Sequence, residues 1–452
     1  MPAELAPIRE FGAILGRPTD RSVAISALSA AATEARVEFS AAGIGARRTE
    51  AKPLPAGVAV EFEIDGLRPN TDYTYRVLRR AAGAADWVAG AAGSFHTQRP
   101  PGASFTFAVQ GDSHPERPQM FLPALYVQTL RAAAADKPDF YLTIGDDFSV
   151  DTLPQIDRDA VRQIYLNQRL YLSLVGAPVF LVNGNHEQAA LANTDGTADS
   201  VGVMTQTARN ALFPQPAPDG FYTGNAQPVR HVGLLRNYFA WTWGDALFVV
   251  IDPYWHSTQP VDNKLGERGK DRRDLWNITL GDEQYRWLKN TLETSRSKYK
   301  FVFAHHVLGT GRGGIERAGL YEWGGRDQRG RDEFKARRPT WELPIHPLMA
   351  KTGVTIFFQG HDHLFARQEL DGVVYQTLPL PADPYYAVYN RDAYESGDVF
   401  AGSGRVRVNV SPAKVTVEYV KSVLPSHSGP DRKDGEVAFR YELPAPPAAA
   451  PK

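Results

Sequence analysis

With 452 residues, 43% of them apolar and 22% charged, the chain reads as globular and too long for one ordinary core. Its 50 Lys and Arg against 51 Asp and Glu leave a net charge of −1, which excludes a long-range field for gripping nucleic acid or anionic membrane. Cysteine is absent, so disulfides, thiolate metal ligation and a cysteine nucleophile are excluded too.

The first residues, Met1-Pro2-Ala3-Glu4-Leu5-Ala6-Pro7, lack the basic region and apolar core of a signal peptide. No stretch approaches the ~20 apolar residues of a spanning helix. A periplasmic or secreted protein whose leader is absent from this sequence is expected, with the cytoplasm as the alternative. Residues 12–98 alternate as in a small antiparallel module, with strands expected at 22–28, 35–39, 58–64 and 73–78. The stretch Gly66-Leu67-Arg68-Pro69-Asn70-Thr71-Asp72-Tyr73 resembles the fibronectin-type-III corner, in which a Tyr hydroxyl bonds back to nearby backbone; Tyr73 is the corner candidate. An all-β fibronectin-III-like sandwich domain is therefore expected over 12–98.

Gln98-Arg99-Pro100-Pro101-Gly102 reads as a linker, and residues 104–442 as an α/β layered domain. Helical apolar spacing runs from Leu122 to Ala135 and from Leu153 to Leu174. Residues 239–243 and 246–251 suggest a hairpin in a second sheet, and 405–410 and 414–420 another. The Pro- and Ala-rich residues 443–452 are expected to be a disordered tail.

Five apolar runs in this domain, at 105–110, 139–144, 178–183, 300–303 and 354–359, have the continuous character of strands buried on both faces. Each is followed at once by a polar cluster. These read Gly111-Asp112-Ser113-His114, Gly145-Asp146-Asp147, Gly184-Asn185-His186-Glu187, His305-His306 and Gly360-His361-Asp362-His363. Taken singly, each is an ordinary turn sequence. Together they hold six of the eleven histidines, and ligands of layered α/β proteins gather beyond the carboxyl ends of strands. One shared metal site is the reading. Imidazole, carboxylate and amide donors suit Zn, Mn or Fe better than Ca or Mg.

The ordered set resembles the calcineurin-like metallophosphoesterase superfamily, and with a β-sandwich in front it is most similar to the purple acid phosphatases. The resemblance implies a four-layer α-β-β-α sandwich and two divalent or mixed-valence transition metal ions. One metal would take Asp112, His114 and His363, and the other Asn185, His305 and His361, with Asp146 between them. It further implies hydrolysis of a phosphomonoester by a metal-bound hydroxide, with His186 as catalytic histidine and a small-molecule phosphate ester as partner; His306 is a second catalytic candidate, as an acid or phosphate contact. A phosphodiesterase with the same metal pair is the alternative within that chemistry, and a non-catalytic binding protein the alternative outside it. The purple enzymes' metal-binding Tyr, three residues after the shared Asp, is Ser149 here, and His114 stands where they carry Gly. No tyrosinate band is therefore expected.

Residues 188–236 and 309–345 are expected to form the rim. Arg312, flanked by glycines, is the candidate for reaching substrate phosphate. The other arginines of the second segment read as a solvated mixed-charge run. Trp255, His256, Tyr321 and Trp323 are offered as aromatic walls.

Overall fold

In the strand Phe105–Gln110, Phe105, Phe107 and Val109 face one apolar cluster while Ala108 faces another, so both sides of the strand are buried. The same alternation splits Phe248 and Val250 from Val249, and Ile356 and Phe358 from Phe357. Two sheets stacked face to face between two helical layers satisfy that pattern. The computed structural model describes residues 2–261, 273–308 and 311–446.

The first sheet has six strands in the order Val179–Leu181, Phe140–Thr143, Phe105–Gln110, Gly404–Val410, Lys414–Lys421 and Val437–Pro444. The second has eight, in the order Thr223–Gly224, Phe239–Trp243, Ala246–Val250, Tyr299–Phe303, Ile356–Gln359, Val373–Thr377, Phe365–Leu370 and Asp398–Phe400. Phe107, Phe140, Trp241, Phe248, Phe301 and Phe358 fill the space between them. Each such ring contributes roughly 2–3 kcal/mol by leaving water. Helices Pro123–Ala135 and Arg158–Leu172 cover the first sheet, and Gly281–Thr294 and Ile345–Thr352 the second. The expected four-layer α-β-β-α sandwich is what forms.

Both expected hairpins are present, with Trp243 facing Ala246 and Val410 facing Val415. The second of the expected helices starts at Arg158 and not at Leu153, because Asp157 caps it by accepting from Ala160 N–H at 2.9 Å. The last strand runs through Pro444, and Ala445 N–H donates to Ala413 O, so ladder pairing carries order past residue 442. Residues 447–452 of the expected tail lie outside the described residues, as do 309–310 of the second rim segment.

In front stands an all-β region. A three-stranded sheet (Phe11–Gly16, Val23–Ser29, Val60–Ile64) faces a second sheet built on Thr33–Ala41, Asp72–Arg80 and Val88–His96. Tyr73 is buried and its hydroxyl accepts from Arg68 N–H at 2.9 Å, the back-bond its sequence context suggested. The following segment is tied down. Arg99 donates to Asp139 at 2.8 and 2.9 Å, Trp243 Nε1–H donates to the same carboxylate, and Gln98 donates to Thr242 O. Arg169, buried without a carboxylate partner, donates to Ser26 O across the junction.

Candidate metal centre

Parallel pairing delivers the five clusters to one place. Phe105–Gln110, Phe140–Thr143 and Val179–Leu181 are parallel neighbours in one sheet, and Tyr299–Phe303 and Ile356–Gln359 in the other. The turns after them converge. Asp112, His114 and His363 present ligand atoms within 4.8 Å of one another; so do Asp146, His305 and His361, and so do His114, Asp146 and His186. Asp146 belongs to two of these groups. Its Oδ2 lies 3.0 Å from His305 Nε2, 3.7 Å from His186 Nε2 and 3.9 Å from His114 Nε2. Asp112 Oδ2 lies 3.1 Å from His363 Nε2. None of the seven candidate ligands is more than 6% exposed.

The turns are strained. His114, Asp146, His361 and His363 have φ of 46°, 56°, 67° and 61°, the left-handed region that side chains other than glycine enter at a cost. Close nesting holds them there. A Cβ on Gly184 would come within 2.2 Å of Asp146 Oδ1, and one on Gly360 within 2.3 Å of Asp112 Oδ1.

Buried polar atoms ordinarily find hydrogen-bond partners. Here Asp146 Oδ2, Asn185 Oδ1 and Nδ2, His305 Nε2 and His361 Nδ1 have none. His305 Nδ1 is 2.9 Å from Ile144 O, so the carbonyl takes that N–H and the ring presents Nε2 inward. Unpaired oxygen and imidazole donors facing one another, without a thiolate, are the donor set of divalent cations. The residues fit such ions.

Electrostatics agree. Burial raises the Asp112 carboxyl, but His305 and His363 win and hold it down at about 2. Asp146 is likewise held well below the usual range by His305 and His186. Burial lowers His114 and His361 well below 6.5 and keeps them in the neutral form that ligates. His305 goes the other way. Burial opposes its charge, yet Asp146 and Asp112 push it up to about 10. In the metal-free protein its ion pair adds stability that is fully present below pH 6.5 and lost as pH rises toward 10. A cation must displace that proton, so metal affinity is expected to rise about tenfold per pH unit between pH 6.5 and 8.5. Calorimetric metal titrations in two buffers check this: a pH-independent affinity with no proton release would show that His305 is not displaced.

Around the cluster the chain supplies further groups. His186 Nδ1 lies 2.8 Å from Asp151 Oδ2 and 2.9 Å from Arg117, and Arg117 donates to Asp151 at 2.9 Å. Ser149 Oγ is 3.0 Å from His114 Nδ1 and orients that ring. His306 stacks on Tyr254, whose hydroxyl is 2.7 Å from Nδ1, while Nε2 stays unpaired; His306 belongs to none of the three groups. Arg312 lies 3.6 Å from Asp362, whose other oxygen accepts from Tyr394 at 2.6 Å and from Gly313 N–H at 2.8 Å. Arg312 therefore stands at the edge of the cluster.

Several groups escaped sequence reasoning. Arg117 and Asp151 stand just after the first two clusters, and their charge beside a histidine-rich turn was the available signal. Tyr389 and Asn390 come from a stretch without periodicity and left none. Two of the four expected aromatic walls are core residues. Trp323 and Tyr321 belong to the apolar core, where Trp323 Nε1–H donates to Tyr375 and the Tyr321 ring packs edge-on to Trp276. Trp255 is buried and His256 packs against Gly281. The arginine run is paired: Arg331 with Asp327, Arg337 with Asp274 and Arg338 with Glu322.

The structure of PhoD is similar at 16% identity and TM-score 0.65, covering 96% of this chain and 92% of that one, which is likeness of fold. GAP50, the anchor in the inner membrane complex of Plasmodium, matches at 14% identity and TM-score 0.40, covering 76% of this chain and 89% of that one. No curated protein sequence matches the chain. The family model described as calcineurin-like phosphoesterase matches residues 105–365, from the first strand before a cluster to just past the last cluster. The chain belongs to the calcineurin-like phosphoesterase family.

Proposed function

We propose that the chain hydrolyses phosphomonoesters at a two-metal centre. Asp112, His114 and His363 would hold one cation and Asn185, His305 and His361 the other, with Asp146 as the candidate ligand shared by both. The observation that carries this is Asp146 Oδ2, buried without a hydrogen-bond partner, 3.0 Å from His305 Nε2 of one set and 3.9 Å from His114 Nε2 of the other. Zn, Mn or Fe suits the donors. When bound, such a pair supplies Lewis acidity and lowers the pKa of water.

The chain's own residues do the rest. His186 turns Nε2 toward the cluster while Asp151 holds Nδ1, which places a ring proton beside the leaving oxygen. The oxygen of water bonds to phosphorus as the P–O ester bond breaks, the leaving alcohol takes that proton, and the proton that water loses restores His186 as phosphate is released. Arg312 and Arg117, each also near a carboxylate (Asp362 and Asp151), bring guanidinium donors from which the oxygens of a phosphomonoester can accept. His306, its Nδ1 held by Tyr254 and its Nε2 free, is a second phosphate contact.

On metal-loaded protein, kcat/KM for p-nitrophenyl phosphate is expected to exceed that for bis(p-nitrophenyl) phosphate by at least about tenfold. The reverse order would make the chain a phosphodiesterase. Turnover of neither, with two ions bound, would leave a binding protein.

A further inference from the structure

We infer that the loop 383–390 lies on the leaving-group side of the cluster and that the substrates are phosphate esters whose leaving alcohol carries an aromatic ring. This rests on the phosphoesterase reading above. The Tyr389 ring lies 6.1 Å from the His363 ring, edge-on at 82°, and is half-buried. Beside it Tyr385 is 67% exposed and Val388 42%. Among the described residues Tyr385 is the sole aromatic of the large apolar side chains left in water to that degree.

The loop is built to hold them there. Asp383, 1% exposed, accepts from Tyr385 N–H at 3.0 Å, Ala387 N–H at 2.8 Å and the Tyr389 hydroxyl at 3.1 Å. Asn390 Nδ2–H donates at 3.0 Å to the carbonyl of Asp362, the residue between two candidate ligands. Tyr386 is turned the other way: its ring lies under the Arg432 guanidinium at 4.4 Å and its hydroxyl accepts from Leu424 N–H. So one tyrosine anchors the loop, while the exposed Tyr385 shares Asp383 with the half-buried Tyr389, whose ring meets that of His363.

An exposed aromatic on a fixed loop beside a reaction centre lacks a partner. A flat ring on the ester side of the phosphoryl group supplies one, by stacking or edge contact that an alkyl group cannot match. The phosphoryl end meets the histidine and carboxylate cluster, and the organic end meets Tyr385 and Val388. The two ends are recognised by separate residues.

The probes are phenylphosphonate, methylphosphonate and inorganic phosphate, bound to metal-loaded protein and followed by calorimetry, with turnover of phenyl phosphate measured alongside. Wild-type protein is expected to bind phenylphosphonate about tenfold more tightly than methylphosphonate. In Tyr385→Ala the preference falls to within about twofold, inorganic phosphate binds as before, and Tyr385→Phe keeps the preference. Equal affinity for the two phosphonates in wild-type protein, or a preference untouched in the Tyr385→Ala, Val388→Ala double variant, overturns the loop's role even if phenyl phosphate is turned over. Absence of phenyl phosphate turnover in metal-loaded wild-type protein strikes the phosphoesterase reading, and the substrate assignment falls with it.

Discussion

Replacing Asp146 by Asn is expected to remove phosphoester hydrolysis by three orders of magnitude or more, on the order of 4 kcal/mol of transition-state stabilisation, and to lower metal content from two ions per chain to one or none. The side chain is fully buried and accepts from His186 N–H at 2.8 Å through Oδ1. An amide can keep that bond. What it cannot keep is the negative Oδ2 that faces His305, His186 and His114. An amide N–H placed there meets the imidazoles as a donor and bars a cation from bridging. Folding should survive, because Asn enters the left-handed region about as readily as Asp, and position 146 has φ of 56°. Elemental analysis beside kcat/KM separates the outcomes. Two ions per chain with wild-type turnover would show that Asp146 does not lie between the metals.

Much of this site was legible in the sequence because both faces of its strands are buried. That burial turns Phe105–Gln110 and Ile356–Gln359 into unbroken apolar runs, and makes the polar residues after them conspicuous. The order of layers was an expectation from the family resemblance that those clusters carry. What stayed hidden came from two sources. Arg117, Asp151, Tyr389 and Asn390 reach the site from irregular segments, where position depends on side-chain hydrogen bonds and not on period. Trp323 misled for the opposite reason. It lies in a charged loop-like stretch, yet the short helix Tyr321–Gly324 folds its ring into the core. In the sequence Ser149 reads only as a missing tyrosine. In the fold it has a positive role, since it orients the His114 ring that takes up the ligand position nearby.

Glu187 connects that irregular architecture to the metal positions, and Glu187→Gln is expected to destabilise the protein by about 2–4 kcal/mol despite matching its shape. The carboxylate is 1% exposed and accepts four backbone N–H groups: Gly184 at 2.6 Å and Asp146 at 3.2 Å on one oxygen, Asp147 at 2.9 Å and Phe148 at 3.3 Å on the other. It thereby laces the turn carrying Asp146 to the turn carrying Asn185. Burial, with Asp146 and Asp147 beside it, pushes its pKa up, while His305 and the backbone N–H groups favour the ionised form. Four donors aimed at two oxygens offset that cost. In glutamine either orientation of the amide puts an NH2 group against two N–H donors, so two hydrogen bonds become repulsions in a low-dielectric site. Glu187→Ala opens space that water can enter to meet the donors, so it should cost no more than the isosteric change. Metal affinity should fall about 10- to 100-fold in Glu187→Gln, because the turns that present Asp146 and Asn185 lose their common anchor. Thermal melts of metal-free protein and metal titrations check the two effects separately. A Gln variant that melts with the wild type and binds metal as tightly would show that the turns hold themselves, and that their left-handed residues need no carboxylate to keep them in place.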